Sequence, residues 1–328
     1  MDGTFRLASF NIESLDDAPG AAVSLDERIA MLQPQLGRID ADIVCLQEVN
    51  AQRAGTRGPR RLHALDRLLA GTAYAGFERA ISLGLKGKGL ADRHNLVILS
   101  RWPVRRWRSL RHALVPPPLI RPVTAAPKSD EPQPVEWDRP VLHAELSLPG
   151  GGRLHIINLH LRAPLASPIA GQRQAPLVWK SAAGWAEGFF LSNVKRAGQA
   201  LEARLIVDQL LDDNPDALIA VCGDFNCREH ETPVRIVRGA VEDTGSGAQA
   251  SRELTALARG IPPDQRYSVI HAGERTLYDH VLASRSLFAG FRKLEIHNEA
   301  LADEGAVGPD APFSFHAPLV AEFNLERL

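Results

Sequence analysis

The sequence is poor in cysteine, with only Cys45, Cys222 and Cys227 in 328 residues. So small and odd a number excludes a disulfide-stapled framework, and the thiols are expected to be reduced, in a cytoplasmic protein. No run approaches the ~18 apolar residues that a bilayer-spanning helix needs. The first residues, MDGTFRLASFNIESL, lack a basic stretch followed by an apolar one, so no secretory leader is expected. Glycine and proline follow no triplet period, no heptad is sustained and no internal repeat is found, which excludes collagen-like, coiled-coil and solenoid architectures. Charge of one sign is not in excess either. There are 38 Lys and Arg against 39 Asp and Glu, a net charge of -1, so no basic coat for nucleic acid covers the whole chain.

What is there is the mixture of a globular protein: 45% apolar and 23% charged residues. That is enough apolar surface to offset the entropy of ordering the chain. The near-neutral sum conceals an asymmetry. Between Ala51 and Ile120 lie 14 basic and 3 acidic residues, and the remainder of the chain is correspondingly acidic.

Apolar runs of strand length alternate with turn signals and a few amphipathic stretches. Strands are expected at Phe5–Asn11, Ile43–Glu48, Asn95–Ser100, Leu218–Cys222, Leu277–Ala283 and Leu319–Phe323. Val141–Leu148 and Leu154–Leu161, split by the turn at 149–152, read as a hairpin. Helical spacing appears over Leu25–Ile39, Arg61–Leu69 and Arg196–Leu211. Eight prolines between Val115 and Pro140 predict a long exposed loop or arm. The strands before and after it look like parts of one sheet system, so residues 1–328 read as a single domain.

Several of these strands end in polar residues. Asn11 follows the first, Glu48 ends the second, His160 lies near the end of another, Asp224 and Asn226 follow a fourth, Asp279 borders a fifth and His316 precedes the last. Carboxylate, amide and imidazole groups at the ends of apolar strands are what a hard-cation site needs: oxygen ligands on a rigid support. Taken singly, an acidic residue at a strand end is more often a turn residue or a helix cap. Phe225 is expected to point into the core, leaving Asp224 and Asn226 on the other side.

The runs SFNIES (Ser9–Ser14), LQEV (Leu46–Val49), INLHL (Ile157–Leu161), GDFN (Gly223–Asn226), YDHVL (Tyr278–Leu282) and SFHAP (Ser314–Pro318) occur in this order. Their order and content resemble the endonuclease/exonuclease/phosphatase superfamily, over nearly the whole chain from Phe5 to Phe323. The superfamily includes pancreatic-type deoxyribonucleases, abasic-site endonucleases, neutral sphingomyelinases and inositol-polyphosphate phosphatases. The resemblance implies an α/β (α+β) four-layer sandwich, two mostly antiparallel sheets packed face to face with helices outside. It implies hydrolysis of phosphate esters with Mg²⁺ or Mn²⁺. Carried over residue by residue, Glu48 matches the cation-binding glutamate, with Asn11 and Asp224 beside it. Asp224 and Asn226 match the pair that positions water and phosphate. His316 matches the general base or electrostatic stabiliser, and Asp279 the carboxylate that orients it. His160 matches the second histidine of the deoxyribonuclease and sphingomyelinase branches, where the abasic-site branch usually has tyrosine. His280 is expected on the opposite face, as a structural residue.

One departure stands out. The family usually has Ser-Asp-His where this chain has Ser314-Phe315-His316, and Phe315 cannot hold a cation. Asp303 or Asp310 could supply the carboxylate from the preceding loop, or water and substrate could complete the shell around one ion.

Candidate substrate-binding residues are His94, Asn95, Asn158 and Arg162. The run Arg101, Arg105, Arg106, Arg108 and Arg111, with Trp102 and Trp107, suits a phosphate backbone and stacked bases, or else a solvated face with two core tryptophans. Arg53, Arg57, Arg60 and Arg61, then Lys86, Lys88 and Arg93, and Lys180 could reach the same cleft. Val178–Leu191, rich in Trp and Phe, reads as ordinary core, with a lid or lipid-facing patch as alternatives. Three functions follow: a cation-dependent phosphodiesterase acting on nucleic acid, a hydrolase of small or lipid-linked phosphate esters, and a non-catalytic phosphate-binding protein with a degenerate site.

Overall fold

The computed structural model describes residues 3–328 apart from 54, 56, 57, 86, 129 and 309. Twelve strands form two six-stranded sheets. The strands are β1 (Thr4–Leu15), β2 (Ile43–Val49), β3 (Glu78–Ile81), β4 (Asn95–Ser100), β5 (Val104–Leu110), β6 (Val141–Ser147), β7 (Arg153–His160), β8 (Leu218–Asp224), β9 (Thr255–Ala256), β10 (Asp279–Ala283), β11 (Phe291–Ile296) and β12 (Leu319–Asn324). The first sheet runs β11-β12-β1-β2-β4-β3 and the second β9-β10-β8-β7-β6-β5. Each is antiparallel except for one central parallel pair, β1 with β2 and β7 with β8.

Alternation along the strands builds four layers. Phe5 and Leu7 of β1, Ile43 and Cys45 of β2, Leu154 and Ile156 of β7, and Ala220 and Cys222 of β8 share one core between the sheets. The alternate residues Ala8, Phe10 and Ile12 pack under α1 (Leu25–Ile39) and α2 (His63–Leu69). On the far side, Ile157, Leu159, Ile219 and Val221 pack under α3 (Ala182–Asp213) and α4 (Thr232–Arg238). The order is helix, sheet, sheet, helix, as expected. Helix α1 matches the periodicity to the residue, started by a capping box between Ser24 and Glu27.

One local expectation is corrected and two are made specific. Helix α3 begins 14 residues before Arg196, because Ser181 caps it and accepts from the Gly184 N–H. That places Trp185 (46% exposed) and Phe190 (55% exposed) on the surface, not in the core. The arginine-rich run is an edge strand, β5, whose charges have partners within the fold. Arg101 pairs with Asp42, Arg105 and Arg106 with Glu145, and Arg108 faces His143. Trp102 packs edge-on against Phe5, while Trp107 is exposed. The proline-rich segment is an arm laid on α3, with Ala125 and Val135 packed against Ile169 and Leu191 and Trp137 fully buried. It is moored by the buried Glu202, whose carboxylate accepts from the backbone N–H groups of His112, Ala113 and Leu114 and from the Trp137 indole. A buried carboxylate with four donors is fully satisfied, which holds both ends of the arm to one helix.

Between the parallel strands β7 and β8 the backbones come very close. Gly223 has φ +137°, and a Cβ built there would lie 2.0 Å from the Leu159 carbonyl oxygen. Only glycine fits.

Candidate active site

The inward rows of both sheets are apolar until they pass the last layer of core, and there they turn polar. The row Phe5, Leu7, Ser9 ends in Asn11; Ala220, Cys222 ends in Asp224; Leu154, Ile156, Asn158 ends in His160. Val281 and Ala283 begin from Asp279. Alternation therefore aims four polar side chains into one space at the end of the sandwich. His316, from the loop before β12, closes it.

The Asn11 amide bridges the two sheets, donating to Glu48 Oε1 at 3.3 Å and to Asp224 Oδ2 at 3.0 Å. Glu48 would face outward by alternation, but its φ of +62° turns it toward Asn11. Its second oxygen accepts from the backbone N–H and hydroxyl of Ser14, at 3.0 and 3.1 Å. Asn226 bends back, its N–H donating to Asp224 Oδ1 at 2.8 Å and its amide to Asp224 Oδ2 and the Leu161 carbonyl. His316 and Asp279 are joined by a 2.8 Å bond between Nδ1 and Oδ2, with His316 Nε2 3.9 Å from Asp224. Ligand atoms of Asp224, Asp279 and His316 all lie within 4.8 Å of one another. His160 Nε2 lies 3.4 Å from Asp224 and 3.6 Å from Glu48. Among the nine described non-glycine residues with positive φ, Glu13, Ser14, Glu48, His94 and Asn226 are at this site. Such backbone persists only where its surroundings hold it.

The environment separates the proton affinities. Burial works against a charge on His316, but the Asp279 and Asp224 carboxylates outweigh it and hold the imidazole well above its usual range. Burial, with the guanidinium of Arg139 and the imidazoles of His94 and His316 beside it, keeps His160 well below, so it is neutral. Burial pushes the Asp224 carboxyl up to about 7 against the pull of His316, with Asp279 and Glu48 adding repulsion. Burial also opposes the charge on Glu48, but His94 and Arg139 overcome it and its carboxyl stays below the usual range.

The site residues expected from the strand ends, Asn11, Glu48, His160, Asp224, Asn226, Asp279 and His316, thus come together. His94 joins them. Arg139 Nη2 donates to its Nδ1 at 3.0 Å, which leaves the ring proton on Nε2, 3.3 Å from the Ser14 hydroxyl. Asn95 and Asn158 take structural posts in place of the expected substrate contacts. Asn95 is buried and bonds Val49 and Ala91; Asn158 accepts from Gln47 and donates to the Leu46 and Val97 carbonyls, tying the sheets together. Arg162 is paired with Asp138 at 2.9 Å and Arg60 with Asp92. Arg57 and Lys86 lie outside the described residues. His280 faces away as expected, bonding the Cys227 carbonyl beside Phe225, which is buried. Asp303 is no substitute carboxylate, since its oxygens accept from the N–H groups of Ala272, Gly273 and Gly305 at the start of a short helix. Two residues escaped the sequence reading. Arg139 is hidden in the proline-rich arm, and Glu13 follows Asn11 in a turn that alternation does not describe.

The donor set suits a hard divalent cation: several carboxylates converge around the Asn11 amide, and the buried Asp279 Oδ1 has no hydrogen-bond donor among the described residues. A model of the Endonuclease/Exonuclease/phosphatase family matches residues 8–303, and the chain belongs to that family. Members of the family are generally divalent-metal-dependent hydrolases of phosphate esters. Solved structures share the fold at low identity. Truncated TDP2 of Caenorhabditis elegans is 16% identical, with 98% of each chain covered and a TM-score of 0.56. The Neisseria 3' phosphatase NExo, bound to a product DNA hairpin, is 16% identical over 97% of this chain and 99% of that one, at 0.55. An AP endonuclease of Archaeoglobus fulgidus is 16% identical over 98% and 99%, at 0.53. No curated protein gives a significant match. Among the described residues no helix is long and apolar enough to cross a membrane.

Proposed function

We propose that the chain is a Mg²⁺- or Mn²⁺-dependent phosphodiesterase of nuclease type. The observation that carries this reading is the convergence of Glu48, Asp224, Asp279 and His316 on one space, with Asn11 bridging the two sheets. Asn11, Glu48 and Asp224 would hold the cation, which when bound supplies charge neutralisation at the phosphate oxygens. The chain's own groups do the rest. Asp224, whose carboxylate is aimed into the site by the Asn226 N–H and amide, is the acceptor for the proton of the attacking water. His316, kept cationic by Asp279, presents Nε2–H to the charge that develops on phosphorus-bound oxygens, which makes it an electrostatic stabiliser and not the base. Neutral His160 adds a second donor. Arg139, beside Glu48, supplies a cation where the phosphodiester backbone enters. No such arrangement is needed by a protein that only binds phosphate.

Hydrolysis of bis-(p-nitrophenyl) phosphate with Mg²⁺ or Mn²⁺ tests the reading. Turnover that EDTA abolishes is expected; no turnover with either ion would overturn it. The exposed residues Leu165, Leu177, Val178, Trp185 and Phe190 favour a second reading, lipid-linked phosphate esters. Preferential cleavage of plasmid or single-stranded DNA over phospholipid vesicles, falling steeply with salt, supports the nuclease.

A further inference from the structure

Helix α1 buries one face, Leu25, Leu32, Leu36 and Ile39, against the first sheet. A second face carries Ala30, Met31, Pro34, Gln35 and Arg38, three and four residues apart. With the connection from β11 to β12, this face walls a cavity of about 770 Å³ whose lining includes His316. That is the size of a small-molecule site. Strand β1 runs toward the site and β2 starts again at the far end, so α1 runs back from the site. From Ala30 to Arg38 the helix wall is about 12 Å long.

Much of the lining is apolar: Met31 and Pro34 on the helix, Leu301 and Phe313 on the connection. The half-buried Phe313 ring is braced edge-on by the buried Phe315 at 5.4 Å, so the residue that departs from Ser-Asp-His supports an aromatic wall. The helix wall also carries polar groups whose demand is unmet. Pro34 sits inside the helix and has no N–H, so the Ala30 carbonyl lacks its i+4 donor. Gln35 Oε1 is buried without a partner among the described residues. Arg38 pairs with no described residue. An acyl chain in this cavity would leave all three groups unpaired, at a desolvation cost. A purine satisfies them. Its ring stacks on Phe313, its ring nitrogens accept from Arg38, and its exocyclic amine donates to the carbonyl or amide oxygen.

We propose that this cavity is a subsite for the purine base of the nucleoside that flanks the scissile phosphate. The proposal rests on the nuclease reading of the site and narrows its substrate class to purine-containing nucleic acid. Initial rates with Mn²⁺ on a deoxyadenosine dinucleotide and a thymidine dinucleotide test it, for wild type, Phe313→Ala, Ala300→Trp and Pro34→Ala. Wild type is expected to favour the adenine substrate about 10-fold in kcat/KM. Phe313→Ala should raise the KM for that substrate about 5- to 100-fold with kcat little changed. Ala300→Trp, which fills the cavity from its exposed rim, should raise the same KM. Pro34→Ala returns an N–H to the Ala30 carbonyl. It should raise the melting temperature and yet weaken the adenine preference about 2- to 10-fold. Adenosine 5'-monophosphate should compete with the dinucleotide, and lysophosphatidylcholine should not. No base preference in wild type overturns the proposal, as does an unchanged KM in Ala300→Trp or an intact preference in a stabilised Pro34→Ala. Competition by the lysolipid alone assigns the cavity to an acyl chain and overturns it too. If Phe313→Ala lowers kcat on both substrates alike, the loop has shifted and Ala300→Trp decides. Failure of wild type to hydrolyse bis-(p-nitrophenyl) phosphate removes the functional reading and this proposal with it. Turnover of that ester without base preference removes the proposal alone, so the two failures are distinct.

Discussion

Two regions of this molecule bury histidines among charges, and they do so with opposite results. At the strand ends, His316 sits against Asp279 and Asp224 and is held cationic. On the outer face of the second sheet, His143 sits with His155, Arg108 and Arg106, and burial together with these neighbours pushes it down to about 3. The outer cluster is closed on itself. Arg108 can only donate, so it fixes the His143 proton on Nε2, which donates to His155 Nδ1 at 3.2 Å; the buried Glu145 is ringed by Arg105, Arg106 and Arg153. The strand-end cluster is left open: among the described residues the buried Asp279 Oδ1 has no donor. Burial alone does not separate a working site from a structural one. Unmet demand for charge does.

The sharpest break of this comparison is Asp224→Asn. Turnover of bis-(p-nitrophenyl) phosphate is expected to fall about 10³-fold with the melting temperature nearly unchanged, read by initial rates and circular dichroism. A smaller catalytic effect follows from Asp279→Asn. Losing the carboxylate that raises the His316 affinity should cost about 10²-fold at neutral pH and move the alkaline limb of the rate profile to lower pH. An unmoved limb would contradict the cationic assignment. The outer cluster answers to pH through stability. The folded-state value of His143, about 3, lies below the unfolded 6.5, so its contribution is complete above pH 6.5 and is lost as pH falls toward 3. Urea unfolding of wild type against His143→Asn should show the wild type losing about 2 kcal/mol more between pH 7 and pH 5. The smallest effect is expected from Arg105→Ala. The side chain is half exposed beside Glu145, so it should change stability by less than about 1 kcal/mol and leave DNA cleavage unaltered.

Much of this contrast was legible before any coordinates. Alternation along β1, β7, β8 and β10 says that Asn11, His160, Asp224 and Asp279 share the inward face, and the apolar residues before them say where that face ends. What alternation cannot carry is the departure from it. Glu48 reaches the site through a positive φ, and Glu13 through a turn that breaks the strand register. Arg139 is placed by an arm whose prolines signalled an exposed loop, because the Glu202 carboxylate that binds the arm down lies some 65 residues away in sequence from Trp137. Strand β5 was obscured for the converse reason: at a sheet edge, arginines with carboxylate and imidazole partners replace the usual β-branched residues.

Gly223 sets a limit on how the site can be redesigned. Because the Leu159 carbonyl occupies the place of a side chain, the spacing between His160 and Asp224 is fixed by contact of two backbones. Directed evolution of this protein can vary the loops that meet substrate, but a library randomised at 223 should return glycine alone.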